Sequence, residues 1–148
     1  MEKHTYEKLA EFRATLRRFL RFSEEAAYEA GLAPKQHQAL LAIKGFSEPQ
    51  AITIGELARQ LQIRHHSAVG IVNRLEKDGC LKRRTSESDR RKVQLNLTRR
   101  GDILLERLSS AHHKEMRSIG PRLVDLLQMI IDSDIKNTSP KARHGTKS

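Results

Sequence analysis

The chain has 148 residues, with 28 Lys and Arg against 18 Asp and Glu for a formal net charge of +10, one cysteine and six aromatic residues. A chain of this length is expected to fold as one domain of ordinary size without a metal or disulfide staple. The lone Cys80 excludes an intrachain disulfide framework and suits a reducing, cytoplasmic compartment. Charges interrupt the first thirty residues every few positions, which excludes a signal sequence or membrane span there and leads to the expectation of a soluble chain.

Leu9, Phe12, Leu16, Phe19, Leu20 and Ala27 recur at three- and four-residue intervals and predict an amphipathic helix from Thr5 to about Glu29, ended by Gly31. A second helix starts at Pro34, carries Ala39, Leu40 and Ile43, and stops near Gly45. After the loop FSEPQA, Thr53-Ile54-Gly55-Glu56 has the form of a capping box, so a helix begins there with Ile54, Leu57, Ala58 and Leu61 inward. A break at Gln62 to Arg64 separates it from a second short stripe, Ala68, Ile71, Val72 and Leu75, which ends at Asp78-Gly79. Leu81 to Thr85 reads as a strand, SESDRRK as a polar turn, and Val93 to Leu97 as a half-buried strand with alternating faces.

Thr98 is expected to cap a long helix through Ile103, Leu104, Leu108, Ala111 and Met116 that breaks at Gly120-Pro121. A last helix then holds Leu123, Leu126, Leu127 and Ile130. The remaining KNTSPKARHGTKS lacks apolar residues and reads as a flexible basic tail. The expected organisation is residues 1–46 for two N-terminal helices, 47–100 for two short helices and a hairpin, 101–134 for the C-terminal helices and 135–148 for the tail. Structurally these form one domain of the mostly α, α+β class.

The charge is local. Residues Arg59 to Arg100 hold twelve basic and four acidic residues, a net of +8, and all six aromatics precede them. A basic segment without aromatics suits phosphate and groove contacts on double-stranded DNA better than base stacking on single strands. Two short helices with a tight connection, followed by a basic hairpin, make a winged helix-turn-helix, whose second helix enters the major groove. On that helix His65, His66, Ser67, Gly70, Asn73, Arg74 and Lys77 fall outward or at the margin. Ser67, His66 and Asn73 are candidates for base edges, Arg74 and Lys77 for phosphates, and Gly70 for close backbone approach. In the hairpin, Asp89 stands among basic residues and is expected to hold Arg91 in one rotamer for a narrow minor groove, with Arg84, Arg90 and Lys92 on flanking phosphates. The alternative for each set is a solvated charged surface.

The run TIGELARQLQIRHHSAVGIVNRLEKDGCLKRRTSESDRRKVQLNLTRRG resembles the winged helix-turn-helix of MarR-family transcriptional regulators, and the flanking helices extend the likeness from about residue 8 to 132. The resemblance implies a DNA-binding lobe at 47–100, with the N-terminal and C-terminal helices forming a dimerisation bundle, and a homodimer on a pseudo-palindromic operator. Repression is the expected sense, modulated by a small aromatic or phenolic effector. Ser67, Asn73 and Arg74 match recognition-helix positions of the family, and Asp89 and Arg91 match its wing-tip acid and arginine. Arg64 departs from a usual Ser or Thr cap but remains a candidate DNA contact, and Gly70 and Ser86-Glu87 also depart from the family pattern. Independently of the resemblance, the apolar stripes of the outer helices exceed what a small winged domain needs to cover, which favours dimerisation, with a packed monomeric bundle as the alternative.

Seven histidines raise the question of a metal, but His65-His66 and His112-His113 are adjacent pairs pointing about 100° apart on a helix, so no metal site and no cofactor are expected. His37 is the candidate for an effector pocket, the alternative being a partly exposed histidine. Cys80 reads as a small buried hydrophobe rather than a peroxide-sensing thiol. There is no phosphate-binding glycine loop, zinc protease motif, CxxC or nucleophile elbow, so no enzymatic activity is expected. The competing function is an architectural DNA coater without operator or effector.

Overall fold

A computed structural model describes residues 1–46 and 50–137. Among these residues the elements are α1 (Lys3–Glu29), α2 (Pro34–Lys44), α3 (Ile54–Leu61), α4 (His65–Lys77), β1 (Leu81–Thr85), β2 (Val93–Leu97) and α5 (Arg99–Asn137). They divide into two compact units, Phe22–His113 and a second made of Met1–Arg21 with the residues from Lys114 onward.

In the first unit, local sequence rules set each boundary. The capping box closes as its residues require: the Glu56 amide donates to Thr53 Oγ1 at 3.3 Å, and the Thr53 amide donates to Glu56 Oε2 at 2.8 Å. Gln62 ends α3 in the left-handed conformation, φ 54°, which lets the Ile63 amide reach the Ala58 carbonyl at 3.0 Å and turns the chain into α4. Gly79, φ 74°, ends α4 in the same way. β1 and β2 pair antiparallel in the register Leu81 with Leu97, Arg83 with Leu95 and Thr85 with Val93. The preceding segment adds a short third rung, since the Leu95 amide donates to the Ile52 carbonyl at 2.8 Å. The core gathers Leu40, Ile52, Leu57, Val72, Leu75, Cys80 and Leu95, all essentially inaccessible, so every element from α2 to β2 contributes to one hydrophobic cluster.

The hairpin base is pinned to the start of α5. Thr98 Oγ1 donates to the Gly79 carbonyl at 2.6 Å and accepts from the Gly101 amide at 3.1 Å, while the Thr98 amide donates to the Cys80 carbonyl at 3.0 Å. Thr98 is therefore both the cap of α5 and the clasp of the hairpin.

Two expectations about the C-terminal part need correction. The helix does not break at Gly120-Pro121: α5 is continuous for 39 residues with Pro121 inside it. Proline's fixed φ is itself helical, so its cost is one missing backbone hydrogen bond and local crowding, and these need not end a helix that carries apolar positions on both sides. The helix also runs through residues 135–137, into the segment read as tail, while 138–148 lie outside the described residues. Part of the FSEPQA loop, residues 47–49, does so too.

In the second unit Leu126 is fully buried, and Arg122 Nε donates to Glu11 Oε1 at 2.7 Å, joining α5 to the start of α1. A different stripe of the same helix, Met116, Val124, Leu127 and Ile131, is exposed, with Val124 at 64%. No helix among the described residues is long and apolar enough to cross a membrane.

A Cβ on Gly101 would stand 2.1 Å from the Cys80 carbonyl oxygen, whereas one on Gly70 would meet nothing within 4 Å. Gly101→Ala is therefore expected to lower unfolding stability by about 1–3 kcal/mol through overpacking against backbone. Gly70→Ala should raise it by about 0.5–1 kcal/mol through helix propensity. Chemical denaturation of the two variants checks the pair, and equal effects would contradict the close approach.

Candidate nucleic-acid interface

α4 separates its faces as its sequence demands. Ala68, Ile71, Val72 and Leu75 are buried, while Arg64, His65, His66, Asn73, Arg74 and Lys77 are exposed and Ser67 and Gly70 lie at the margin. Arg64 caps the helix by backbone alone, φ −69° and ψ 151°, with no side-chain cap bond. The first-turn amides of α4 thus have no side-chain cap, in contrast to α3 with its Thr53 clamp.

At the wing tip, Asp89 works first on the backbone. Its Oδ1 accepts from the Arg91 amide at 3.1 Å, and its carbonyl accepts from the Lys92 amide at 3.0 Å. The Arg91 guanidinium lies near the same carboxylate, Nε to Oδ1 3.5 Å, but its side chain is 94% exposed. The acid therefore shapes the turn and sits beside Arg91 without burying it. Ser86 completes the turn. It is buried, its hydroxyl lies 3.0 Å from that of Ser88 and accepts from the Asp89 amide at 3.3 Å, and its amide donates to the Lys92 carbonyl at 2.9 Å. Arg84, Arg90, Arg91 and Lys92 are exposed around this fixed tip.

One residue that sequence reasoning passed over joins helix and wing. Arg83 Nη2 donates to Asn73 Oδ1, and its Nε lies 3.5 Å from Glu76 Oε2. Strand alternation contains the signal for it, because Arg83 is two residues from the buried Leu81 and pairs across the hairpin with the buried Leu95. Ser86 was missed as well, with no sequence signal beyond its place in a polar turn.

His37 is buried, 4% exposed, rather than partly exposed as one reading had it, and its ring lies against that of His112, centroids 4.8 Å apart. The His112 Nδ1 is 2.6 Å from the Leu108 carbonyl, which can only accept, and Nε2 is 2.8 Å from the Ser23 hydroxyl. Phe22 meets the same ring edge-on at 5.4 Å. A cleft of about 670 Å³ between the start of α3 and β2, lined by Glu56, Arg59, Lys92 and Gln94 among others, does not include His37. Neither does one of about 550 Å³ lined by Ala30, Ile103, Leu104 and three arginines. Cys80 is buried as a small hydrophobe. No group of three metal-ligating side chains comes together among the described residues.

Comparison with known proteins gives the following. A family profile described as "MarR family" matches residues 30–92. The HTH-type transcriptional regulator PecS of Dickeya dadantii is 30% identical over 88 residues, covering 60% of this chain and 53% of PecS. The chain thus spans about half the length of the curated relatives it matches. Among solved structures, the MepR–DNA complex of S. aureus is similar with a TM-score of 0.67 at 16% identity, covering 86% of this chain and 93% of that one. Apo MarR of E. coli is similar with a TM-score of 0.63 at 20% identity, covering 82% and 91%. These structural likenesses establish a winged-helix fold.

Burial, and secondly the neighbouring His112 ring, holds the His37 pKa below its ordinary value of 6.5. In the unfolded chain His37 takes up its proton near pH 6.5, whereas in the folded chain it does so only at lower pH. The unfolded state therefore binds more protons between those values. Stability should be independent of this group above about pH 7 and should fall as pH drops through 6.5. Urea midpoints from pH 8 to pH 5 for the wild type and His37→Gln check this: the difference between the two should change as the solution is acidified, in the direction that disfavours the wild type. A constant difference would contradict it.

Proposed function

Residues 30–92 match the MarR family profile, and from that premise we propose that the chain is a MarR-family regulator that controls transcription by occupying duplex operator DNA as a homodimer. The observation that carries this reading is the pairing, within one compact unit, of the exposed polar face of α4 with a wing whose tip is fixed by Asp89 and Ser86 and rimmed by arginine and lysine. A rigid tip spares its cations part of the ordering entropy that binding otherwise costs. Arg64, His65, His66, Ser67, Asn73, Arg74 and Lys77 form the major-groove side of the interface, and Arg84, Asp89, Arg90, Arg91 and Lys92 the wing side. Arg91 is the candidate for minor-groove insertion.

The second copy is supported by the exposed stripe Met116, Val124, Leu127 and Ile131, apolar surface at helical spacing that an isolated chain would leave in water. A two-fold dimer carries two wings and reads a pseudo-palindromic site with half-sites about one helical turn apart. Repression follows from simple occupancy of a promoter. An effector acting near His37 has to displace the His112 ring packed against it, which Phe22 and Ser23 in turn hold.

Arg91→Ala is expected to weaken binding to a duplex selected by the wild type from a random pool by roughly ten- to a hundredfold, with helical content and dimer mass unchanged. Asp89→Ala should also weaken binding although it removes a negative charge, because the Arg91 amide loses its acceptor. Fluorescence anisotropy titrations check both. Wild-type affinity in Arg91→Ala, or tighter binding in Asp89→Ala, would refute the wing assignment.

A further inference from the structure

Arg83 stands among the basic residues of β1 but differs from its neighbours. Lys82 and Arg84 are exposed, whereas the Arg83 side chain is 31% exposed and turned toward α4. Its Nε is sealed from solvent and makes no hydrogen bond, with Glu76 Oε2 at 3.5 Å as the counter-charge, and Nη2 donates to Asn73 Oδ1. Asn73 and Glu76 are three residues apart and therefore share one side of α4. One guanidinium thus meets two positions about one turn apart on the helix from the strand that carries the wing.

We propose that Arg83 is a positioning residue that sets the wing against α4 and turns the Asn73 amide, and so governs base discrimination without itself contacting phosphate. The inference rests on the DNA-binding reading above. An ion pair this exposed adds little stability; its planar fork supplies a fixed geometry instead. The chemistry fixes the amide, since a guanidinium only donates and must face Oδ1. An asparagine reads adenine by accepting from N6 with Oδ1 while donating to N7 with Nδ2. With Oδ1 engaged by Arg83, Asn73 offers a base edge chiefly its Nδ2 donor, which matches guanine N7 and O6 or thymine O4.

Three variants test this on full-length protein: Arg83→Met, Arg83→Lys and, as a phosphate-contact control, Arg90→Ala. The probe is the duplex the wild type selects, together with its single-base substitutions, titrated at several salt concentrations. Arg83→Met should lower discrimination among these duplexes roughly tenfold while leaving the slope of log K against log salt unchanged. Arg90→Ala should make that slope shallower by about one and keep discrimination. Arg83→Lys, which keeps the charge but loses the fork, should resemble Arg83→Met.

In the free protein, Arg83→Met should speed hydrogen exchange at the amides of the wing turn, 86–92, without a comparable change in α2. Rescue of discrimination by lysine, a shallower salt slope in Arg83→Met, or unchanged exchange in the wing would each overturn the proposal. A wild type that selects no duplex at all would instead overturn the DNA-binding reading and this inference with it, and the two failures are distinguishable because only the second appears before any substitution is made.

Discussion

The winged unit depends on the crossing of two backbones, where the first turn of α5 rests on Cys80. Thr98 spans that crossing with three hydrogen bonds, and Gly101 makes it sterically permissible. Because Gly79-Cys80 leads into β1 and Leu97-Thr98 leads out of β2, one contact fixes both feet of the hairpin. The Ile52 carbonyl then holds the Leu95 amide from the other side, and the hairpin register places Leu81 and Leu95 in the shared core. A two-stranded ribbon is marginal by itself in water; here its base is part of the core and only its tip is left to solvent.

Much of this was legible because the signals are local. The Thr53–Glu56 capping box, the left-handed closure at Gly79, the alternation of Val93 to Leu97 and the cap at Thr98 each follow from side-chain chemistry within four residues. Pro121 misled for the same reason: a local rule treats proline as a helix stop, yet tertiary context carries α5 past it. Strand alternation tells that Arg83 faces inward, but its partners Asn73 and Glu76, like the Lys92 carbonyl that the Ser86 amide meets, are chosen by the fold and not by sequence spacing. His37 lay between these cases. Its place in α2 was readable, but its burial against His112 joins residues 75 positions apart.

The candidate interface couples charge to rigidity. Lysines and arginines scattered on a flexible loop would attract any polyanion. In this chain the same charges sit on a helix whose inner face is buried and on a turn in which Asp89 and Ser86 satisfy backbone amides. An acid in a basic turn loses some long-range attraction for phosphate and gains a defined tip shape, which is the kind of exchange that favours discrimination over bulk affinity.

In the proposed complex α4 lies in the major groove while the wing enters the neighbouring minor groove of the same duplex. Methylation interference with dimethyl sulfate separates the two, since it marks guanine N7 in the major groove and adenine N3 in the minor groove. Interference is expected at guanine N7 within each half-site and at adenine N3 in the flanks a few base pairs away. Binding that is indifferent to methylation in both grooves would contradict it.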